Sequence, residues 1–182
     1  MSKITDIFQG PTRRFERLLE PHLDGLYRLA YRFTGHQHDA EDLLQDLVVK
    51  LYQNPKGLLE ANEPRPWLAR SLRNLYIDTL RKENRSPQGY LHEAGEEVLL
   101  QVEDQGSRPD TDLEQHQMQS DLSRALEALK SDYRELVILH DVEGYTLIEL
   151  VEVLEQPLGT LKSRLHRARQ QLRKILSKKM EP

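Results

Sequence analysis

The sequence predicts an all-α protein made of two small helical domains that are joined by an acidic flexible linker. Apolar residues recur at steps of three and four in both halves of the chain, which is the period of an amphipathic helix. No stretch alternates apolar and polar residues in the way a half-buried strand does. Residues 86–119 are polar and acidic, with Arg108 as their only Lys or Arg, which is typical of a linker.

The composition of the 182 residues limits the classes of function. The chain has no cysteine, so disulfides and cysteine-ligated metal sites are excluded, and no cofactor is expected. Its formal net charge is −4, so nucleic-acid binding would depend on local basic patches. No stretch approaches the roughly 18 apolar residues of a membrane span, and the N-terminus lacks the apolar core of a signal peptide. We therefore expect a soluble intracellular protein without membrane insertion.

Breaks in the helical pattern divide the chain into segments. We expect an N-terminal arm at 1–11, a first domain at 12–85, a linker at 86–119 and a second domain at 120–182. In the first domain, Pro21 is expected to begin a helix that Gly35 ends as a left-handed cap. The helix after Gly35 is expected to be capped by Asp39.

An acidic edge lies opposite the apolar stripe of the helix that follows Gly35. It consists of Asp39, Glu41, Asp42, Gln45 and Asp46. The simplest interpretation is a solvated face whose first acids complement the helix dipole. The functional interpretation is a docking surface for a basic or polar partner.

A basic face is predicted on the helix that starts near Pro66. Between Arg65 and Arg85 there are six Lys or Arg and only two acids. The face runs along Arg70, Arg73, Asn74, Ile77 and Arg81. On the same helix, the rings of Trp67 and Tyr76 are large enough to stack on unpaired bases. Such rings are more often part of a core, and we predict core packing for both.

The stretch from Thr146 to Leu176 has the pattern of a helix-turn-helix. Two amphipathic pieces are separated by a break at residues 155–157. The second piece has one continuous apolar stripe, formed by Leu158, Leu161, Leu165, Ala168, Leu172 and Ile175. From Pro157 to Lys179 there are eight Lys or Arg and no Asp or Glu. A short helix, a tight break and a helix with a purely basic polar side indicate a recognition helix for the DNA major groove.

The side chains opposite this stripe are candidates for contacts with DNA. They are Ser163, His166, Arg167, Gln170 and Lys174, with Lys162 and Arg164 on the flanks. Arg and Lys bond to guanine edges or phosphates, and Ser and His bond to either. A basic amphipathic helix also fits a solvated face, a membrane surface or a calmodulin-like partner.

Three motifs together resemble those of a known family. RNLYIDTLRK lies on the predicted basic helix, DAEDLLQD precedes it, and GTLKSRLHRAR lies in the helix-turn-helix. In their order and spacing, the chain resembles the extracytoplasmic-function (ECF) sigma factors of bacterial RNA polymerase, over residues 12–85 and 120–176. These proteins retain only sigma regions two and four. The resemblance implies a non-enzymatic, cytoplasmic protein that binds core polymerase and directs it to promoters, and that joins the nucleoid within the holoenzyme.

The resemblance also implies roles for particular residues. Binding of the polymerase clamp is expected from Asp39, Glu41, Asp42, Gln45 and Asp46. Recognition and melting of the promoter −10 element are expected from Leu58, Leu59, Glu60, Asn62, Arg70, Arg73, Asn74, Asp78 and Arg81. Reading of the −35 element is expected from Lys162, Ser163, His166 and Arg167, with Arg164 and Arg169 near phosphates. The expected partners are core RNA polymerase, promoter DNA and an anti-sigma factor, with no small-molecule substrate.

Two residues of the helix-turn-helix depart from the family pattern. Val151 stands where the first helix usually has a small residue, so we expect it to open the packing between the two helices slightly. Glu155 stands where the turn often has Gly, so we expect an acid near DNA.

Three other interpretations fit parts of the sequence. A stand-alone helix-turn-helix regulator would leave the loop and basic helix at residues 58–85 without a function. A metal-dependent enzyme would use His36, His38 and Asp39 with His22, but the spacing fixes no third ligand. A protein-binding adapter would make both basic helices solvated faces, and salt-dependent DNA binding by the second domain would argue against it.

Overall fold

The computed structural model describes residues 11–85, 121–122 and 124–180, and every regular element within these ranges is helical. The expected linker lies outside the described residues, as does the expected N-terminal arm except for its last residue. Among the described helices, none has the length and apolar character needed to cross a membrane.

The first domain has five α-helices in the described residues. They are α1 (Pro11–Leu19), α2 (Leu23–Thr34), α3 (Gln37–Gln53), α4 (Lys56–Glu60) and α5 (Pro64–Arg85), with a 3-10 turn at Glu20–His22 between α1 and α2. One of them, α4, overlaps the stretch from Leu58 to Pro66 that was expected to be a loop. Gly35 has φ 74° and donates its backbone N–H to the Tyr31 carbonyl, which confirms the predicted left-handed cap. The prediction for Asp39 is wrong, because His36 occupies the N-cap position and Asp39 lies in the first turn of α3.

The core of the first domain is formed where α2, α3 and α5 meet. Its buried residues include Leu26, Leu29, Leu43, Leu47, Leu68 and Leu72. The ring of Tyr76 stacks on Phe33, with 5.3 Å between the ring centroids, and Trp67 packs partly buried against the same core. Trp67 also needs Gly57, because a Cβ at Gly57 would lie 2.6 Å from Cζ2 of the indole. The prediction of core packing for both rings is confirmed.

The second domain has helical residues at 121–122 and 124–127 and then three helices. These are α6 (Ser131–Val137), α7 (Leu147–Leu154) and α8 (Leu158–Met180), with a π-helical turn at Ile138–Val142 after α6. Gly144 has φ 69°, a left-handed conformation that lets the chain turn from the π-helical turn toward α7.

A buried arginine joins the first helical residues of this domain to α6. The Arg134 side chain is 1% exposed and donates to the backbone carbonyls of Leu126 (2.9 Å), Leu129 (3.1 Å) and Glu127. Carbonyls at a helix end have no partner within the helix, so Arg134 supplies donors that water would otherwise provide. The contact explains how a charged side chain is tolerated in the core.

The helix-turn-helix is formed by α7, the residues after it and α8. Thr146 caps α7 in a capping box with Glu149: the Thr146 hydroxyl accepts from the Glu149 N–H at 3.2 Å, and the Glu149 carboxylate accepts from the Thr146 N–H at 2.7 Å. The two helices share a core that includes Leu150, Val153, Leu161, Leu165 and Ala168. Val151 lies on the exposed side of α7, so the expected effect on helix packing is not found.

The two domains pack against each other, with α5 of the first domain lying along α7 of the second. In the described residues, the basic helix of the first domain therefore meets the helix-turn-helix. This arrangement decides which predicted site residues are exposed.

Candidate nucleic-acid interfaces

The exposed face of α8 is the first candidate interface. Burial of Leu161, Leu165 and Ala168 turns the opposite side of the helix outward. Exposed side chains on that side are Lys162, Ser163, His166, Arg167 and Gln170. The Ser163 hydroxyl donates to the Thr160 carbonyl at 2.9 Å, and the Gln170 amide lies 3.1 Å from His166 Nε2. The face thus presents two cations and three polar groups on one rigid helix.

Arg164 and Arg169 differ from this face because acids and amides of their own domain hold them. Arg164 donates to Gln156 at 2.9 Å and lies 3.5 Å from a carboxylate oxygen of Asp132. Arg169 donates through Nε to Asp141 at 3.1 Å and makes a second, shorter contact with the same carboxylate. Both side chains therefore tie α8 to the rest of the domain.

The pKa of Asp141 reflects this ion pair. Burial by itself would raise the pKa, but hydrogen bonds and charges from Arg169 and His140 bring the pKa of Asp141 below its ordinary value. The same contact raises the pKa of Arg169. The two groups are thus fully charged at neutral pH.

The segment before α5, which contains α4 and residues 61–63, exposes only some of the residues predicted there to contact DNA. Leu58 is 0% exposed and belongs to the core, so its side chain is not accessible to DNA in this structure. Leu59 is half-buried, whereas Glu60 and Asn62 are exposed. Glu60 lies 3.9 Å from the Lys56 ammonium, one helical turn earlier.

The arginines in the middle of α5 are not free. Arg70 contacts the carboxylate of Glu155, and Arg73 donates to the carboxylate of Glu135 at 2.5 and 3.1 Å. Farther along the helix, Asn74 is half-buried, whereas Asp78 and Arg81 are exposed and lie 3.7 Å from each other. The centre of the predicted −10 face is therefore covered by carboxylates of the second domain.

Two more arginines of the first domain, Arg32 and Arg65, contact the second domain. The sequence analysis did not name them as site residues. The Arg32 side chain is buried and contacts the carboxylate of Glu143. Arg65 donates to the Glu143 carbonyl at 2.7 Å and to the Glu149 carboxylate at 3.3 Å. Its guanidinium also lies 4.1 Å above the centre of the Tyr145 ring, a cation–π contact. No local sequence signal pairs residues that are separated by about eighty to one hundred and ten positions.

The acidic edge of α3 is exposed throughout. Asp39, Glu41, Asp42, Gln45 and Asp46 all face solvent, with Gln37 donating to Glu41 at 2.8 Å. The same helix exposes Val49 and Tyr52, which the sequence analysis did not include. The Tyr52 hydroxyl donates to Glu16 of α1 at 2.9 Å. An exposed acidic surface with apolar residues beside it is suited to binding a protein partner.

The metal-site interpretation has no geometric basis within the described ranges. Both His36 and His38 are exposed. No group of three or more His, Asp or Glu side chains comes together there in a way that could hold a metal ion.

Comparison with known proteins places both domains in one family. The sigma-70 region 2 model matches residues 18–86, and the sigma-70 region 4 model matches residues 119–172. The chain is 31% identical over 179 residues to the ECF RNA polymerase sigma factor SigW of Bacillus subtilis, covering 96% of this chain and 95% of that protein. It is 35% identical over 170 residues to the ECF sigma factor SigE of Mycolicibacterium smegmatis, covering 93% of this chain but only 64% of that protein.

Solved structures show the same architecture. The sigma factor RpoE from Bartonella quintana, in complex with the anti-sigma factor NepR, matches with a TM-score of 0.68 and 25% identity, over 91% of this chain and 98% of that chain. CnrH in complex with the cytosolic domain of CnrY matches with a TM-score of 0.59 over 92% of this chain and 90% of that chain. At 22% identity, the second likeness concerns the fold alone.

Proposed function

Because this chain belongs to the ECF sigma factors of bacterial RNA polymerase, we propose that it acts as an alternative sigma factor whose two domains divide promoter recognition between them. We assign these functions to the domains expected from the sequence, at residues 12–85 and 120–182. The observation that carries the proposal is the presence of both region 2 and region 4 in one chain. A stand-alone regulator needs only the second of these.

The exposed face of α8 is assigned to the −35 element. This element stays double-stranded, so a helix that enters the major groove suits it. Lys162, Ser163, His166 and Arg167 are the proposed readers, because all four side chains are exposed on one face. Arg164 and Arg169 have partners within the domain, so their proposed role is to fix the orientation of α8.

The segment before α5 and α5 itself are assigned to the −10 element. This element must melt, so it needs a surface that holds unpaired bases and offsets the cost of unstacking them. Leu59 and Glu60 of α4 and Asn62 after it are the proposed contacts before α5. The proposed contacts along α5 are Arg70, Arg73, Asn74, Asp78 and Arg81. Leu58 is left out because it is buried.

The acidic edge of α3 is assigned to the polymerase clamp. All five of its predicted residues are exposed in the part of the chain that the structure describes. Two weak DNA contacts held together through polymerase reach high effective concentration only on a promoter with the correct spacing. The polymerase is therefore the part of the assembly that makes the two faces act together.

The remaining partners follow from the same proposal. The relative from Bartonella quintana is solved with an anti-sigma factor, and we propose that an anti-sigma factor also controls this chain. The chain itself catalyses no reaction and works in the cytoplasm, in the nucleoid when it is part of the holoenzyme. The polymerase supplies the chemistry of transcription.

The test is transcription with purified components. The chain would be mixed with bacterial core polymerase and a library of supercoiled promoters, and the transcripts would be sequenced. We expect initiation at a fixed distance downstream of a two-part motif, only when the chain is present. Stable DNA binding without polymerase-dependent initiation would instead support a stand-alone regulator.

A further inference from the structure

The exposed face of α8 contains a contact between two of its own side chains. The amide nitrogen of Gln170 lies 3.1 Å from Nε2 of His166, and both side chains are exposed. The two residues are four positions apart, so their side chains lie one above the other on the helix. The His166 ring is therefore held by a residue that is not among the proposed readers of the −35 element.

This contact determines which ring nitrogen of His166 carries the proton. An amide nitrogen only donates, so Nε2 of His166 accepts from Gln170 and is unprotonated. In a neutral imidazole the hydrogen then lies on Nδ1, which becomes a donor. A histidine without such a neighbour can present either ring nitrogen as the donor. The Gln170 contact therefore gives His166 a defined hydrogen-bonding polarity before DNA binds.

Ser163, one turn earlier on the same face, has the opposite polarity. Its hydroxyl donates to the Thr160 carbonyl at 2.9 Å, which leaves only the lone pairs of the oxygen for an outside partner. Lys162 and Arg167 are donors, but both are charged and also suit phosphates. His166 is thus the neutral donor among the four proposed readers.

We propose that His166 donates from Nδ1 to N7 of a purine in the −35 element, and that Gln170 is a positioning residue that holds the ring in this tautomer. The proposal rests on the −35 role of α8 given above. N7 is an acceptor on the major-groove edge of both guanine and adenine, whereas cytosine presents an amino donor there. His166 should therefore favour a purine at one position of the element without distinguishing guanine from adenine.

The tautomer of His166 can be measured in the free full-length chain, without DNA or polymerase. Nitrogen NMR at about pH 8.5, where histidine is ordinarily neutral, reports which ring nitrogen is protonated. The signal that disappears in His166→Asn identifies His166. We expect the Nδ1–H form in the wild type, whereas Gln170→Met, which removes the donor, should shift His166 toward the Nε2–H form. Gln170→Lys supplies a donor again and should restore the Nδ1–H form.

The base contact is measured with deazapurines, in which a C–H group replaces N7 and base pairing is kept. Holoenzyme binding is compared on promoter fragments in which each purine of the −35 element is replaced in turn. Loss of the N7 that His166 contacts should weaken wild-type binding about two- to tenfold, the range for one neutral hydrogen bond. His166→Ala should remove the sensitivity at this one position and keep it at the others.

The Gln170 variants test positioning on the same fragments. Gln170→Met should reduce the sensitivity at the position contacted by His166, and Gln170→Lys should restore it. The sensitivity is a ratio of two affinities of one variant, so a charge that strengthens binding to both fragments does not change it. Ser163→Ala is the matched control, since it alters the same face without removing an available donor, and it should keep the sensitivity.

Three results would overturn the proposal. A His166 ring that is mainly in the Nε2–H form in the wild type would exclude the tautomer, and full N7 sensitivity in His166→Ala would exclude the base contact. An unchanged tautomer and unchanged sensitivity in Gln170→Met would exclude the positioning role. Failure of the proposed function is distinct from these results, because the wild type would then show no polymerase-dependent initiation from any promoter.

Discussion

The two basic helices of this protein look alike in sequence and differ in the fold. Both α5 and α8 carry several arginines on one face and a leucine stripe on the other. The face of α8 that includes His166 and Arg167 is open to solvent, whereas Arg70 and Arg73 of α5 are held by carboxylates of the other domain. One face is open to solvent, and the centre of the other is covered by the second domain.

The comparison shows that a basic helix face in the sequence is not always an exposed basic face in the fold. A basic face attracts whatever anion is nearest, and in a folded chain that anion can come from a distant segment. In α8, side chains of the same domain pair with Arg164 and Arg169 at the edges of the basic face and leave the centre of that face exposed. In α5, carboxylates of the second domain pair with the arginines at the centre of the basic face.

The largest expected effect separates exposed from paired arginines on α8. Arg167→Ala should reduce promoter-specific initiation about 10- to 100-fold, because one good bidentate base contact is worth about 1–3 kcal/mol. Binding to core polymerase should remain nearly unchanged. The comparison variant is Arg169→Ala, which removes a contact that orients α8 but no proposed base contact, and should lower initiation less than about threefold. Equal losses of initiation in the two variants, measured by quantitative transcription, would show that exposed and paired arginines of α8 do not differ in function.

The second expected effect concerns the acidic edge of α3, which belongs to neither basic helix. Asp46→Arg should weaken holoenzyme formation about tenfold, because it places a cation in an acidic docking face. A competition assay for core polymerase measures this change. Asp24→Arg is the control, since Asp24 is exposed on α2 outside that face. Unchanged affinity of the Asp46 variant would exclude Asp46 from the docking surface.

A smaller effect is expected at Glu155, which lies in the turn between α7 and α8 and contacts Arg70 of α5. Glu155 has φ 53°, a left-handed conformation that costs a non-glycine residue about 1 kcal/mol. Glu155→Gly should therefore raise the free energy of unfolding by about 0.5–1 kcal/mol, even though the exposed pair with Arg70 is lost.

The control for this prediction is the same substitution in a helical position. Glu152→Gly, in the interior of α7, should lower the free energy of unfolding by about 1 kcal/mol. Urea unfolding of both variants provides the comparison. Destabilisation by Glu155→Gly would show that the carboxylate contributes more to the fold than its conformation costs.

The smallest expected effect is a pH dependence within the second domain. The folded pKa of Asp141 lies below its ordinary value of 3.8, so its contribution to stability is present above that value and is lost as the pH falls through the folded pKa. Between about pH 5 and pH 2, the wild type should lose more stability than Asp141→Asn. Thermal unfolding at a series of pH values measures the difference. Parallel pH profiles would contradict the role given to the Asp141–Arg169 pair.

The local parts of the fold were predictable from the sequence, and the long-range parts were not. The Gly35 cap and the leucine stripe of α8 follow from short-range rules that need only neighbouring residues. Even there, the cap of α3 was placed at Asp39 instead of His36, because acids are favoured both at the cap and in the first turn.

The site was predictable as a set of residue types but not as a surface. Exposure of the acidic edge and of the α8 face follows from helical periodicity. Burial of Leu58 depends on how α4 packs, and the pairing of Arg32 with Glu143 depends on docking between segments 111 positions apart. The sequence alone does not indicate which carboxylate pairs with Arg32, because many acids lie at a similar distance along the chain.

The most direct test of the two-domain account is a footprint on a promoter found by the transcription assay. Holoenzymes with wild type, Arg167→Ala and Arg73→Ala would be probed for protection of the −35 element and for permanganate-reactive thymines in the −10 element. The account predicts that Arg167→Ala loses protection at −35, and that Arg73→Ala keeps this protection but loses reactive thymines at −10. Equal loss of both signals in both variants would contradict the division of function between α8 and α5.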